Sequence, residues 1–513
     1  MFVARGMYLP MIAVAVLLQL AFCKAAPVPP LTWRQCGDQA FFSHQYKVIL
    51  HPSVRHEYAN NSKEVDGETG ARNPQWPSFT SNHQDILLTH IAATRSRVAD
   101  LAASACPGAH QPTLVFTTIG GFGDRLKGMV TTYYAALLTH AQFRMSWTVP
   151  APIAPYFDVD PALLWEVDEV RPPNSNADYD PSATHLTVPG SAVVDVIDAY
   201  EFFTDRASDF VTGLAPPANG TVTVLRTNAP SWMDVVRHPT LRKAAELYGL
   251  TDLSRRDLFV LAMQAVLRRP APAVIEAAVT TLPPQLQAPV SQSLSRGFEK
   301  GRVFGQGTGG NGKATPSTTR TARRHRGFKN TMIPLKPPDH ITIPSPAVLA
   351  LVAVQIRTGG IGEAWTDSEH RHPVDAARCF ADRATEVCAD VYAGACAVFL
   401  TADSRAAAAV FEIALNGTGI AVAQTDGPIL HTDRGVPANS GSNGTSSTSS
   451  MDPWLKTYAD WAALSQADVL LMSHSGYGLT AAWAGSVPHV WQLRRGEGAC
   501  EWVQRDECAQ LPM

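Results

Sequence analysis

Short, unbroken apolar runs alternate along this chain with segments of helical periodicity, and the alternation occurs twice. In the first half, residues 84–105 carry apolar positions at helical spacing and predict an amphipathic helix. Residues 114–119 predict a strand, 126–142 a mostly buried helix and 143–149 a second strand. Strand, glycine turn, helix and strand in that order make a βαβ unit on a parallel sheet. Residues 221–227 predict another strand, and 241–267 are largely helical. The second half restarts at 347–356, an apolar run without polar alternation, as a buried parallel strand requires. It continues as helix 374–391, strand 396–401, helix 404–413, short strand 419–423, helix 454–467, strand 469–473, a helix beginning near 480 and strand 487–493. That repeat predicts a doubly wound α/β domain.

A chain of 513 residues is too long for one core. The expected division is an α/β domain over 84–290, a linker or insertion over 291–346 and a second α/β domain over 347–513. The linker contains GQGTGGNGKATPSTTRTARRHRG, which has too few apolar residues to fold alone. Its basic cluster, Arg320, Arg323, Arg324 and Arg326, reads as a solvated loop, with anionic lipid or acceptor as the alternative. The formal net charge of -3 gives no global reason to bind nucleic acid.

Residues 1–26 read as a signal peptide or a signal anchor. Arg5 precedes an apolar stretch over 7–23 that is slightly short for a membrane span. Residues 27–83 read as an irregular stem. Asn60, Asn219, Asn416 and Asn443 each open a glycosylation sequon. With Cys23 set aside, seven cysteines remain, so in an oxidising lumen at least one stays unpaired or bonds another chain. Cys500 and Cys508 are the favoured pair, because both follow the last predicted core element. No C-x-x-C has a matched second pair, so zinc is not expected. Eightfold alternation and a placed carboxylate pair are both missing, which disfavours a barrel glycosidase.

The candidate chemistry lies where strands end. GGFGDRLKG, residues 120–128, follows the first strand and brings Arg125; VAVQIRTGG, residues 352–360, ends the strand before Arg357. Ligands of open α/β sheets bind outside the carboxyl ends of the strands, and arginine grips phosphate with a planar fork of donors. Strand 396–401 leads to Asp403. Strand 469–473 leads to Ser473-His474-Ser475-Gly476-Tyr477-Gly478, a turn opening a helix and suited to an anion. Asp403 or Asp460 could accept from the N1–H and N2–H of a guanine. A strand-end aspartate is also a common helix cap. Glu363, Asp367, His370 and His372 follow Arg357 on a polar loop and are candidates to deprotonate an acceptor hydroxyl, with a solvated loop as the competing reading.

VQIR at 354–357, including Gln355, resembles the Gln-Ile-Arg strand end of the plant xyloglucan fucosyltransferases. GGFGDRLKG resembles the Gly-x-Gly-Asn/Asp-Arg-Leu loop shared with the α1,6- and rhizobial nodulation fucosyltransferases. Residues 460–485 are similar to their helix, apolar strand and Ser-rich turn, and the cysteine-bearing tail resembles that of the xyloglucan group. The resemblance implies two Rossmann-like domains facing a cleft (the GT-B type), GDP-fucose as donor, inversion at the fucose anomeric carbon, and no cofactor or metal. It places Arg357 on the donor β-phosphate and Ser473, Ser475 and Gly476, with Tyr477 beside them, along the pyrophosphate. Asp460 or Asp403 would lie near the guanine, and Gly121, Gly123, Asp124 and Arg125 on the facing edge. It implies a Golgi membrane enzyme with a lumenal body, or a secreted one if the signal is cleaved, acting on a glycan or glycoprotein. Where some relatives have a second arginine, this chain has Thr358-Gly359-Gly360. The alternatives are a protein O-fucosyltransferase, another nucleotide-sugar transferase of the same fold, and a glycan-binding homologue without turnover.

Overall fold

The computed structural model describes residues 81–105, 111–118, 120–147, 151–165, 168–169, 186–187, 194–198, 222–298, 349–360, 371–428, 430, 452, 454–494 and 500–505. The signal segment, most of the stem, most of the predicted linker, Glu363, Asp367, His370, Asn60, Asn219, Asn443 and Cys508 lie outside them.

The first half opens with helix α1, Ser81–Ala105, followed by strand β1, Thr113–Thr117, helix α2, Phe122–Leu138, and strand β2, Gln142–Ser146. A small antiparallel pair, β3 (Asp168–Glu169) with β4 (Leu186–Thr187), precedes β5, Val194–Asp198, and β6, Val222–Arg226. Four of these strands form one parallel sheet in the order β2-β1-β6-β5. Five helices follow: α3 (Trp232–Arg237), α4 (Arg242–Leu247), α5 (Arg255–Val266), α6 (Pro272–Val279) and α7 (Pro284–Ser295). The predicted 241–267 helix is thus two, separated by the turn that ends in the N-cap Ser254. Its hydroxyl accepts from Asp257 N–H in a capping box.

The second half runs β7 (Ala350–Ile356), α8 (Ala377–Asp390), β8 (Cys396–Ala402), α9 (Arg405–Leu415), β9 (Ala421–Ala423), α10 (Leu455–Leu464), β10 (Val469–Met472), α11 (Gly476–Ala484), β11 (His489–Leu493) and β12 (Trp502–Gln504). The sheet order is β12-β11-β10-β7-β8-β9, parallel except for β12. All seven residues of β7 are buried. Its side chains alternate between two apolar layers: Leu351 and Ala353 face one, while Val352, Val354 and Ile356 meet Phe380 and Phe411 in the other.

The first of those layers also belongs to the N-terminal half. One apolar cluster runs from β1 and α2 through α5 and α6 to α10, α11 and the inner face of β7. Trp483 of α11 lies edge-on to Trp232, at 5.5 Å between ring centroids, and 5.3 Å from Phe259. Phe122 meets Tyr458 at 5.0 Å and Trp461 at 5.4 Å. The two sheets therefore share one apolar layer. Truncating a buried tryptophan costs about 3–5 kcal/mol, so this layer contributes strongly to holding the halves together.

The tail corrects the Cys500–Cys508 expectation. It does not leave the core: β12 pairs antiparallel with β11, and Trp502 stands edge-on to Phe380 at 5.0 Å. Cys500 is thereby carried to the start of α8, where it bonds Cys379 with a Cα–Cα separation of 5.4 Å. A second disulfide, Cys388–Cys396, closes the turn between α8 and β8. Among the described residues no helix is long and apolar enough to cross a membrane.

Non-reducing digestion and mass spectrometry should recover Cys379 linked to Cys500 and Cys388 linked to Cys396; a Cys500–Cys508 peptide would overturn this packing of the tail. Gly128→Ala should lower the melting temperature. A Cβ there would lie 1.8 Å from the Thr227 carbonyl oxygen, and overpacking of this kind costs about 1–3 kcal/mol.

Candidate functional site

The chain leaves β7 toward β8 on one side and returns to β10 on the other. The carboxyl ends of β7 and β10 are therefore a topological switch point, where open α/β sheets form their ligand crevice. Arg357 stands at this point, partly exposed. Its backbone N–H donates to Ser473 Oγ at 2.9 Å, and Ser473 N–H donates to the Gln355 carbonyl. Ser473 is fully buried and fastens the two strand ends together. Ser475 caps α11: its hydroxyl accepts from Tyr477 N–H at 3.2 Å. The Tyr477 hydroxyl donates to the Thr457 carbonyl, and burial pushes that phenol up.

Asp403 is fully engaged by the loop beside it. It accepts from Thr358 N–H (2.7 Å), Thr358 Oγ1 (2.9 Å), Gly359 N–H (2.9 Å) and Gly360 N–H (3.2 Å). Gly359 and Gly360 have φ of 86° and 75°, a conformation that glycine adopts without a Cβ clash. A carboxylate offers about four lone-pair sites, so Asp403 has none left for a guanine.

Asp460 is also accounted for, within the core. It accepts from Thr401 Oγ1 at 2.9 Å, from Thr425 Oγ1, and from Lys456 Nζ at 3.0 Å. Burial pushes its carboxyl up, and Lys456 and the hydroxyl of Thr401 pull it back down. Both residues expected near the guanine are engaged within the protein, the first shaping a loop and the second joining α10 to β8.

The facing edge is in contact with the switch point. GGFGDRLKG is not a loop: α2 begins at Phe122, with Gly121 as its N-cap. Gly123 is buried, and a Cβ on it would fall 2.4 Å from the carbonyl carbon and oxygen of Gly476. This glycine admits another backbone where a ligand had been expected. Arg125 is buried, its Nε donating to Gly120 O at 2.7 Å, so it braces the turn from inside. Asp124 remains at the surface and pairs with Lys127 at 2.6 Å. The first turns of α2 and α11, the Asp124–Lys127 pair and the end of β7 thus gather at one place.

Several readings end elsewhere. The candidate bases Glu363 and Asp367 lie outside the described residues, and His372 is buried. Asn416 is exposed at the end of α9, open to glycosylation. Sequence reasoning passed over Lys127 and Lys456. The i,i+3 spacing from Asp124 and the i,i+4 spacing to Asp460 were the available signals.

No family model and no curated protein matches the chain. A solved structure of an Arabidopsis thaliana FUT1 mutant in complex with GDP is similar at 12% identity and a TM-score of 0.40, over 92% of this chain and 82% of that one. NodZ alpha-1,6-fucosyltransferase soaked with GDP-fucose is similar at 12% identity and a TM-score of 0.35, over 77% of this chain and 99% of that one. Fucosyltransferase NodZ from Bradyrhizobium gives the same identity, score and coverage. Likeness this remote assigns no residue a role, so the roles below rest on this chain's own side chains.

Lys456→Met should destabilise the fold by about 3–5 kcal/mol, because it leaves the Asp460 carboxyl buried without its cation. Replacing both, as Lys456→Met with Asp460→Leu, should recover most of that loss in a denaturant melt. A single variant as stable as wild type would overturn the pairing.

Proposed function

We propose that this chain is a glycosyltransferase that moves fucose from GDP-fucose to a hydroxyl of a glycan in the secretory pathway. The observation that carries the reading is the convergence at the β7–β10 switch point: Arg357, the Ser475-capped start of α11 and the first turn of α2. An arginine at the strand end next to the one that leads into a helix N-terminus suits a diphosphate, through paired donors and the helix dipole. In the transfer, the acceptor oxygen attacks the anomeric carbon from the face opposite the diphosphate. The bond from that carbon to the β-phosphate oxygen breaks, and its electron pair stays on the phosphate. Arg357 stabilises that charge as it develops. Inversion follows from a single displacement.

The choice of guanine and of fucose rests on the motif resemblance, since Asp403 and Asp460 are both occupied within the protein. Two disulfides and the exposed Asn416 sequon support an oxidising, lumenal setting. We assign proton removal from the acceptor to Glu363 or Asp367, which follow Arg357 in sequence.

Thermal shift against GDP, UDP and CDP, without added metal, tests the reading. GDP should raise the wild-type midpoint by mass action. Arg357→Ala should weaken GDP binding by roughly 10- to 100-fold, the scale of a lost charge-assisted hydrogen bond, and should abolish fucosyl transfer. Stabilisation by UDP alone would replace the donor. No shift with any nucleotide would favour a non-catalytic glycan-binding protein.

A further inference from the structure

Lys127 holds its ammonium against the start of a helix. Nζ lies 3.3 Å from the position a Cβ would take on Gly476, the first residue of the nine-residue α11. A helix N-terminus carries a partial positive charge of about half an elementary unit, which repels a cation within the first turn. The Lys127 side chain is only 13% exposed, so water screens that repulsion poorly. Asp124, its ion-pair partner at 2.6 Å, sits in the first turn of α2 and complements that helix N-terminus as well. One carboxylate thus answers two helix N-termini and one ammonium, leaving local positive charge in surplus. Beneath the same turn Gln355 is 5% exposed, and its Oε1 has no hydrogen-bond partner. That oxygen points at α11, 3.1 Å from where a Cβ of Gly478 would be.

We propose that Lys127 is a phosphate-binding residue. It meets the donor diphosphate from the N-terminal half, while Arg357 meets it from the C-terminal half. The inference rests on the nucleotide-sugar reading above and adds a residue that the Gly-x-Gly-Asn/Asp-Arg-Leu pattern does not contain. A diphosphate brings the negative charge that the converging N-termini and Lys127 lack. As the bond to the sugar breaks, the electron pair left on the β-phosphate oxygen lies within reach of an ammonium already in place.

The test is calorimetric titration of the full chain with GDP and GMP, comparing wild type, Lys127→Met, Lys127→Arg and Asp124→Asn. Lys127→Met should weaken GDP by roughly 10- to 100-fold and GMP by less, and should flatten the salt dependence of GDP binding. Lys127→Arg should stay within about threefold of wild type, because it keeps the charge. Asp124→Asn separates ligand binding from scaffolding. If Lys127 only anchors Asp124, this variant should weaken GDP as Lys127→Met does; if Lys127 binds phosphate, it should bind GDP at least as tightly as wild type. Wild-type affinity in Lys127→Met, or matched losses in Lys127→Met and Asp124→Asn, would overturn the proposal and leave the nucleotide-sugar reading standing. A wild-type protein that binds no GDP would overturn both.

Discussion

Two helices from opposite sheets meet at their first turns with only glycine between them, and the arrangement of the site depends on that contact. The Cβ that Gly123 lacks would stand 2.4 Å from the Gly476 carbonyl, so any side chain there would push α2 and α11 apart. Because the backbones touch, the carboxyl edges of both sheets are brought to one point. Behind the contact Phe122, Tyr458, Trp461, Trp232 and Trp483 fill the space between the halves. Their burial supplies the attraction that offsets the repulsion between two helix N-termini facing each other.

The acidic residues explain an oddity of the motif. Where some resembled relatives have a second arginine after Arg357, this chain has threonine and two glycines. Thr358 donates twice to Asp403, and Gly359 and Gly360 turn through positive φ to donate once each. Thr-Gly-Gly is the sequence that lets a backbone close around a carboxylate. The closed ring then fixes the direction in which the chain leaves β7, and with it the place of Arg357. Ser473 does the same from the other side through the Arg357 N–H.

Much of the C-terminal sheet was legible, because β7, β8 and β10 are buried on both faces and print as unbroken apolar runs. What the sequence hid has a common cause: short polar and glycine signals carry several meanings. Gly121-Phe122-Gly123 reads as a phosphate loop until α11 is seen lying against it. Asp403 and Asp460 read as base acceptors, since a carboxylate looks the same in sequence whether it takes a ligand, a backbone ring or a buried lysine. Trp502 and Cys500 read as a trailing tail because antiparallel β12 is a three-residue strand with little apolar signal of its own.

The contacts that assemble this site are made by the protein's own residues. The shared apolar layer joins the halves, and the Asp403 ring and the Ser473 bond hold the backbone at Arg357 from both sides. That backbone has little conformational freedom left to lose, so the charge interactions of a bound anion would appear more fully as affinity. In the proposed transfer, donors held in this way would need no reorganisation as charge moves onto the leaving phosphate. A packing contact between two glycines therefore also sets the electrostatics of the site, because it fixes where the two helix N-termini point.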